Sequence, residues 1–462
     1  MALNAAVQWE VRTAGADTNG GGFKAGAAGS DFSQQDAKRQ APDTTDLSTA
    51  DAVANGTTTI TSGTANFTAA IVGNVIYFAG GTGGITGCWR EVTARASATS
   101  ITIDLLIAAS TGMTMNIGGA LGTPGVLGSV VVGSNKVWIK TGTYTLSTAT
   151  PNVSGGPLSL AVSLVRFEGY EITRGDFGAR PTIKVPDTGV DTITVITSTS
   201  SSATVVANLI VDGNQKASIT GIGLGVNGYH SIFRCKVMGT TVKGITMGSG
   251  LFSQAILCEV TDFSGTSGME VATGNLAFGC YVHDGATVAF NIAGGSALHC
   301  VADSNSGASS DGFAFATRGV CVGCVAYNNG RDGYRATTQQ PGSLVDCIAE
   351  SNTGWGFNAT SSLLTFLLTH CAAYGNGSGA YHTNLPAQYN CLTITAGSVF
   401  VDAAGGNFAL NSTASQGAAL RAAGALGVFP GGTTTGYQDI GAAQHADPAG
   451  GGGAVGPWGT IR

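Results

Sequence analysis

Charge is scarce in this sequence. Only 10% of its 462 residues are charged, and 21 Lys and Arg stand against 27 Asp and Glu, for a formal net charge of −6. A nucleic-acid-binding protein normally carries a basic face or stripe, so this balance argues against a nucleic-acid partner. Long apolar runs are missing too, since no window approaches the 18 or more apolar residues of a membrane helix. We therefore expect no membrane insertion.

Signatures of export and catalysis are also missing. Residues 1–12 contain Glu10 and no apolar run, unlike a secretory signal, so we expect synthesis in a cytoplasm without a signal peptide. The sequence has no Gly-x-Ser-x-Gly nucleophile motif and no phosphate-binding loop. Cys321-x-x-Cys324 is the only pair with zinc-ligand spacing, and no second pair accompanies it. The sequence therefore predicts no cofactor.

Glycine and regularly spaced cysteine are abundant instead. The chain has 72 glycines, and eight of its 10 cysteines recur at intervals of 20 to 24 residues: Cys235, Cys258, Cys280, Cys300, Cys324, Cys347, Cys371 and Cys391. A period of about 20–25 residues is typical of a solenoid, whose turns stack on one another. Apolar and polar residues alternate after each cysteine, as they do in a strand. The pattern predicts an all-β solenoid, a parallel β-helix with buried, reduced cysteines.

Two further residue types keep the same period. Asparagine follows the cysteine by five residues in four consecutive turns, from Asn305 to Asn376, and its tolerance of left-handed backbone suits a tight corner. A small residue precedes an aromatic one in five turns, at Phe290, Phe313, Tyr334, Phe357 and Tyr381. Stacked at roughly 4.8 Å per turn, these residues should form internal ladders of amides and rings.

The pattern of residue types changes along the chain and predicts four regions. Residues 1–50 are polar and turn-rich and are assigned to an N-terminal segment and cap. Short strand patterns between glycine turns at 51–118 indicate a small β-rich insertion. The β-helix itself is expected at 119–410, with the Cys ladder at 235–391. Residues 411–462 are assigned to a C-terminal cap with a short helix, followed by a Gly-rich tail.

Segments near both ends of the chain resemble a known group of proteins. The opening Trp9-Glu-Val-Arg and Gly15-Ala-Asp-Thr-Asn-Gly20, with Val137-Trp-Ile-Lys-Thr-Gly-Thr-Tyr144, resemble strands of right-handed parallel β-helix proteins of the pectate-lyase-like type. Asn407-Phe-Ala-Leu410 and Asp439-Ile-Gly-Ala442 resemble the closing segment of that group. The resemblance implies a right-handed parallel β-helix. It leaves the activity open, because the group mixes lyases, hydrolases, adhesins and inert phage fibres.

In its many small residues, its low charge and its inserted β-unit, the sequence is most similar to virion structural proteins of tailed bacteriophages. That similarity implies a non-catalytic fibre, spike or capsid decoration that contacts host surface glycans, located on the virion or outside the cell after host lysis. Its partners would be other virion proteins and further copies of the chain, with a trimer favoured. A polysaccharide depolymerase, either a glycoside hydrolase or a lyase, is the first alternative. A sugar-binding surface adhesin is the second.

One row of positions could carry chemistry or bind sugar. The row lies three residues after successive cysteines and should face solvent: Thr261, His283, Asp303, Tyr327, Glu350 and Tyr374. Asp303 and Glu350 are two turns apart, about 10 Å along the axis, close to the roughly 6.5–9.5 Å of inverting glycosidases. They are the catalytic candidates, and His283, Tyr327 and Tyr374 are the glycan-binding candidates. A polar outer face without any activity fits the same residues.

Asp311 and Asp332 form a second candidate pair. Each precedes a ladder aromatic by two residues, which places them in adjacent turns. A close carboxylate pair could bind Ca²⁺ or share a proton. Neutralisation by Arg331 and Arg335, or plain solvation in turns, are the alternatives.

The tail carries one candidate contact residue. Trp458 follows the glycine run 450–453, and tryptophan is a preferred interface residue. The pattern predicts a tether with an apolar anchor for oligomers or for virion proteins. A tail that folds back on its own chain, or that stays disordered, is the alternative.

Overall fold

The regular structure of the protein is almost all β-strand. A computed structural model describes residues 3–38, 48–153, 155–199, 203–225, 228–249, 252–337, 342–359, 366–385, 387–421, 423–425 and 438–444. The chain divides into two compact units, a first unit of residues 1–190 with 196–210 and a second unit of residues 191–195 with 211–462. No helix within the described ranges is long and apolar enough to cross a bilayer.

In the second unit, each turn of the chain adds one strand to each of three parallel sheets. The first sheet contains Ser231–Phe233, Gln254–Ile256, Leu276–Phe278, Ser296–Leu298, Val320–Val322, Gly342–Val345, Phe366–Thr369 and Ala387–Tyr389. The second sheet contains Ile210–Asp212, Lys236–Met238, Glu259–Thr261, Tyr281–His283, Val301–Asp303, Val325–Tyr327, Ile348–Glu350, Ala372–Tyr374 and Leu392–Thr393. The third sheet contains Thr220–Leu224, Lys243–Met247, Ser267–Ala272, Val288–Ala293, Phe313–Phe315, Tyr334–Ala336, Trp355–Ala359 and Gly379–Tyr381. The predicted parallel β-helix is confirmed.

The cysteine ladder lies at the start of the second sheet and points inwards. Cys258, Cys280 and Cys300 are buried, and each thiol lies 3.3–3.5 Å from a first-sheet carbonyl of the preceding turn. All ten cysteines of the chain are described, none of them forms a disulfide, and only Cys88 and Cys391 are partly exposed. In-register parallel strands hold successive Cβ atoms side by side, so the thiols pack as small apolar groups.

The asparagines form a continuous amide ladder at the next corner. The Asn305 side-chain amide donates to Asn329 Oδ1 at 2.8 Å, Asn329 donates to Asn352 at 2.9 Å, and Asn352 donates to Asn376 at 2.9 Å. The left-handed residue of the corner is the one before the asparagine, such as Ser304 with φ of 53°. The predicted corner is therefore right, but asparagine is selected there for its amide and not for left-handed backbone.

Aromatic rings stack through the third sheet, as the sequence predicts. Phe290, Phe313, Tyr334, Phe357 and Tyr381 follow one another with ring centroids 4.7, 4.9, 4.9 and 5.3 Å apart and planes within 11° of parallel. An aromatic pair contributes about 0.5–1.5 kcal/mol beyond its buried area. The preceding Gly312, Gly333 and Gly356 leave room for the ladder, since a Cβ at each would meet the next turn's backbone at 2.7 Å.

The first unit combines β-helix strands with a separate barrel. Its β-helix strands are Gly22–Lys24, Val7–Val11, Lys136–Lys140, Val165–Tyr170, Thr204–Ala207, Thr143–Thr145, Thr182–Lys184, Leu158–Leu160 and Thr194–Ser198, with a single helical turn at Leu127–Val130. The opening strand is locked by charge, because buried Glu10 pairs with Arg12 at 2.9 Å and with Arg174 at 2.8 Å. Breaking such a buried pair costs about 3–5 kcal/mol.

The predicted β-rich insertion is present as a closed antiparallel barrel of six strands. In barrel order they are Ser48–Ala54, Thr59–Thr61, Ser100–Ile103, Ile85–Ser97, Val75–Gly80 and Ser110–Ile117, with a short 3₁₀ helix at Ala69–Ile71. Ile60, Phe78, Ile101 and Met115 are among the residues that fill its interior. Closure leaves the small barrel without exposed strand edges.

The C-terminal segment of the second unit begins with a hairpin. Phe400–Asp402 pairs antiparallel with Asn407–Leu410. The short helix expected after it is only a 3₁₀ turn, Gly417–Ala419, because Gly417 and neighbouring turns interrupt the alanine-rich run. Residues 438–444 return to the β-helix, where the Gly441 amide donates to the Asp346 carbonyl at 2.7 Å. Trp458 lies outside the described residues.

Candidate functional site

The predicted row of the second sheet is in the predicted register. Thr261 lies beside His283, His283 beside Asp303, Asp303 beside Tyr327, Tyr327 beside Glu350, and Glu350 beside Tyr374. The reason is strand alternation: the cysteine and the small residue two positions later point into the core, so the third position points outwards.

The C-terminal hairpin covers this row. Phe400 and Phe408 place their rings 6.2 and 5.9 Å from the ring of Tyr327, and Phe408 lies 6.3 Å from Tyr281. As a result Asp303 is only 6% exposed and Glu350 only 1%. The expectation that these two carboxylates face solvent is wrong, because the apolar hairpin and the tyrosines of the row bury each other's surfaces.

Glu350 serves as an anchor for the hairpin. Its carboxylate accepts a hydrogen bond from the Val399 amide at 3.1 Å. Burial raises the pKa of Glu350, while hydrogen bonds from Ser398 and Val399 oppose that rise. Both acids of the predicted pair are therefore buried beneath the hairpin, and Glu350 is bonded to the hairpin backbone. Tyr374 at the end of the row is partly buried and packs against the same apolar cluster.

A cleft of about 400 Å³ opens between the hairpin turn and the N-terminal part of the row. We call it the hairpin cleft. Its polar wall comes from the second sheet and the adjoining corners: Glu259, Tyr281, His283, Asp284, Asp303 and Ser304. The opposite wall is the turn 404–406 with Phe408. Two residues of the predicted row, His283 and Asp303, are thus brought together in one concave site.

Asp303 is the most enclosed acid of the hairpin cleft. Tyr281 donates its hydroxyl to Asp303 Oδ2 at 2.7 Å, and Ser304 donates to Oδ1 at 2.7 Å. Burial raises the pKa of Asp303, and the two hydroxyl hydrogen bonds and His283 only partly offset that rise. The pKa of Tyr281 is raised as well, by burial and by the neighbouring Asp303 carboxylate.

His283 is clamped between two carboxylates. Its Nε2 lies 3.2 Å from Glu259 Oε1 and its Nδ1 lies 2.8 Å from Asp284 Oδ2. Burial lowers the pKa of His283, but the hydrogen bonds with Glu259 and Asp284 raise it more, so the net shift is upwards. Burial also acts against ionisation of Glu259, yet His283 and Lys236 lower the pKa of Glu259 to about 2. The imidazolium form satisfies both carboxylates at once, since both ring nitrogens then donate.

Asp311 and Asp332 are buried neighbours and not solvated turn residues. Arg331 binds Asp311 with two hydrogen bonds of 2.7 and 2.5 Å. Asp332 accepts from the Asn358 side chain at 2.7 Å and from the Trp355 amide at 2.8 Å. Burial raises the pKa of Asp311 against the influence of Arg331. The pair is therefore neutralised and bonded internally, as in the arginine alternative. Among the described residues, no group of three or more His, Cys, Asp or Glu side chains is arranged to hold a metal ion.

Sequence reasoning missed four polar residues of the hairpin cleft, namely Glu259, Tyr281, Asp284 and Ser304. Glu259 and Tyr281 directly follow ladder cysteines, so the alternation that places the third position outwards also places the first position outwards. Strand alternation could therefore have predicted that Glu259 and Tyr281 point outwards. Asp284 lies at the corner after the strand, with φ of 53°, and its approach to His283 depends on that backbone conformation.

Comparison with known proteins gives structural similarity only. No protein-family model and no curated protein matches the sequence. The fold is similar to a Geobacillus virus E2 protein, ORF18, at 15% identity and a TM-score of 0.40, over 56% of this chain and about half (53%) of ORF18. It is similar to pectate lyase Pel9A at 14% identity and a TM-score of 0.39, over 70% of this chain and 91% of the lyase. The tailspike gp49 of Pseudomonas phage LKA1 matches at 14% identity and a TM-score of 0.23, over 77% of this chain and 64% of the tailspike. At these identities the likeness concerns the fold.

Proposed function

We propose that this protein is a non-catalytic structural or appendage component of a tailed-bacteriophage particle, and that its second unit contacts host surface glycans at the hairpin cleft. The observation that carries the non-catalytic part is the position of Glu350. Its carboxylate is 1% exposed and bonded to the Val399 amide. One member of the spaced acid pair of the predicted row therefore holds the hairpin instead of flanking a substrate.

The internal ladders support a structural role. Cysteine, asparagine and aromatic side chains repeat in register through the second unit and satisfy one another turn after turn. Each rung adds nearest-neighbour stability, as is usual in solenoids. Such a fold resists proteolysis, since backbone hydrogen bonds are internal and few segments open locally. The assignment to a phage particle rests on the composition of the sequence, with its small residues and low charge, and on its inserted β-unit.

A depolymerase remains the second candidate, and one feature favours it. Asp303 combines enclosure, a raised pKa and a place in a concave site that also holds Glu259 and Asp284. A carboxyl with a raised pKa is the usual general acid of glycoside hydrolysis. The other acids of the hairpin cleft are already engaged by Lys236 and His283. For this reason we propose that the site is not catalytic.

The two candidates are separated by a degradation assay with host capsular polysaccharide or lipopolysaccharide. We expect the wild-type chain and the variant Asp303→Asn with Glu350→Gln to leave the glycan intact, and both to associate equally with particles. Release of oligosaccharides by the wild-type protein, abolished in the double variant, would replace the structural proposal with the enzymatic one.

We further propose that the protein is a homo-oligomer, with a trimer favoured, and that Trp458 anchors it to a neighbouring subunit or virion protein. Deleting residues 449–462 should leave the circular dichroism spectrum of the β-helix unchanged and lower the molar mass measured by light scattering. Unchanged mass and unchanged retention on particles at high salt would refute the anchor.

A further inference from the structure

We infer that the hairpin cleft binds a sugar carrying a protonated amine and discriminates against acidic sugars. The inference rests on the proposed glycan contact and specifies its chemical class. It is drawn from the balance of hydrogen-bond donors, acceptors and charges on the walls of the cleft.

The side-chain donors on the walls are already used. Tyr281 and Ser304 donate to Asp303, and both nitrogens of His283 face carboxylates. In the hairpin turn, the Gly405 amide donates to Asp402 Oδ1 at 3.0 Å and the Gly406 amide donates to the Ala403 carbonyl at 2.9 Å. A ligand that needs to accept hydrogen bonds therefore finds the side-chain donors of the walls and two of the three amides of the turn already engaged.

Acceptors and negative charge are in excess. Three carboxylates line the hairpin cleft, those of Glu259, Asp284 and Asp303. His283 and Lys236, which lies 2.6 Å from Glu259 Oε1, supply two balancing positive charges. Each carboxylate oxygen has two acceptor positions, and Asp303 Oδ1 and Oδ2 each accept one hydrogen bond from the wall. A ligand rich in donors, with one positive charge, completes this balance.

The remaining surface suits a sugar ring. Tyr281 and Phe408 line the hairpin cleft. One face of Tyr281 stacks on His283, with ring centroids 4.2 Å apart, and Phe408 is 5% exposed, so the parts of the two rings that remain open can contact C–H groups of a sugar and attract a nearby cation. The volume of about 400 Å³ falls within the roughly 300–1,000 Å³ of small-molecule sites. Asp303 is enclosed, so an ammonium group beside it interacts at lower effective dielectric than in bulk water. An acidic sugar would bring a second negative charge to the same place.

The test is calorimetric titration of the full chain at near-neutral pH, because acid would protonate Asp303, whose pKa is raised by burial. It compares three oligosaccharides of equal length. They are built from glucosamine, from N-acetylglucosamine and from galacturonic acid. One charge-assisted hydrogen bond is worth about 1.5–3 kcal/mol, so the glucosamine oligosaccharide should bind at least about tenfold more tightly than its acetylated form. The galacturonic acid oligosaccharide should bind weakest.

Matched variants locate the effect. Asp303→Asn keeps the shape; its amide oxygen accepts from one hydroxyl and its amide nitrogen donates to the other, and the variant should remove the preference for the free amine. Asp262→Asn is the control. Asp262 lies one turn before Asp284 at the corresponding corner, with φ of 54° against 53°, and it is outside the hairpin cleft. Ala404→Trp, on the exposed turn, should block every sugar without altering a carboxylate.

Equal affinity for the free and acetylated amines, tighter binding of the acidic sugar, or an equal effect of Asp262→Asn and Asp303→Asn would overturn the inference. Sugar binding without amine preference would leave the glycan contact of the proposed function standing. Absence of the chain from purified particles would instead overturn the proposed function, whatever the sugars show.

Discussion

The asparagine ladder offers the sharpest test of how the second unit is held together. Asn329 is buried and donates to Asn352 Oδ1 at 2.9 Å and to the Ala302 carbonyl at 3.2 Å. Asn329→Asp has nearly the same shape but loses both donors, which costs about 2 kcal/mol. It also adds a buried charge that faces the Asn352 carbonyl oxygen, for about 3 kcal/mol more. We expect a loss near 5 kcal/mol at neutral pH from these two sources.

The matched control is Asn376→Asp at the last rung. Asn376 is half-buried, donates only to the Ala349 carbonyl at 2.9 Å, and uses its Oδ1 as an acceptor for Asn352. Aspartate retains the acceptor, so the loss should be about 1 kcal/mol. The assay is denaturant unfolding followed by circular dichroism. Losses of equal size in the two variants would refute the ladder as a source of stability.

The pH dependence of Asn329→Asp gives an independent check. Burial among acceptors raises the pKa of the new carboxyl in the folded state above its unfolded value of about 3.9. The folded chain then binds more protons than the unfolded chain between the two values, so stability falls as pH rises through that window. If the variant does not fold at neutral pH, it should recover near the unfolded pKa, where the protonated carboxyl can donate to Asn352.

Three further predictions concern buried thiols and histidines. A thiol reagent should label Cys88 and Cys391 in the native protein and all ten cysteines after denaturation, because burial protects the other eight; rapid native labelling of Cys300 would contradict the inward register. Cys300→Asp should prevent folding, whereas Cys300→Val should fold, because Cys300 is fully buried and an unpaired buried charge costs several kcal/mol; equal soluble yields would count against this. Burial lowers the pKa of His299 to about 4 and lowers that of His230. The unfolded value is about 6.5, so stability should fall as pH drops from the unfolded towards the folded pKa, by about 3 kcal/mol for His299. The variant His299→Asn, which suits the left-handed corner, should reduce the slope of unfolding free energy against pH. An unchanged slope would show that His299 is not the cause.

Much of the β-helix could be predicted because the residues of its ladders recur at a nearly constant spacing along the sequence. Cys300, Asn329 and Phe313 each have a partner of similar type one turn away, so a local period fixes both the partner and the face. The outward row from Thr261 to Tyr374 follows from the same alternation. The corner residue could not be read so easily, because left-handed backbone precedes the asparagine and is shared among serine, asparagine and aspartate.

The hairpin cleft could be predicted only in part. Alternation places His283 and Asp303 on one face, but the wall opposite them comes from Phe408 and the turn 404–406, more than a hundred residues later in the chain. No repeat links these residues to the row, since they meet it through packing of aromatic rings. The burial of Glu350 follows from the same long-range contact.

The most direct test of the proposed function is electron cryomicroscopy of the intact particle that contains this protein. The account predicts density for a three-sheeted parallel β-helix with a six-stranded barrel at fixed, regularly occupied positions on the virion, retained after washing at high salt. Particles that carry no such density, with the protein found instead as a free, glycan-degrading enzyme in the lysate, would contradict it.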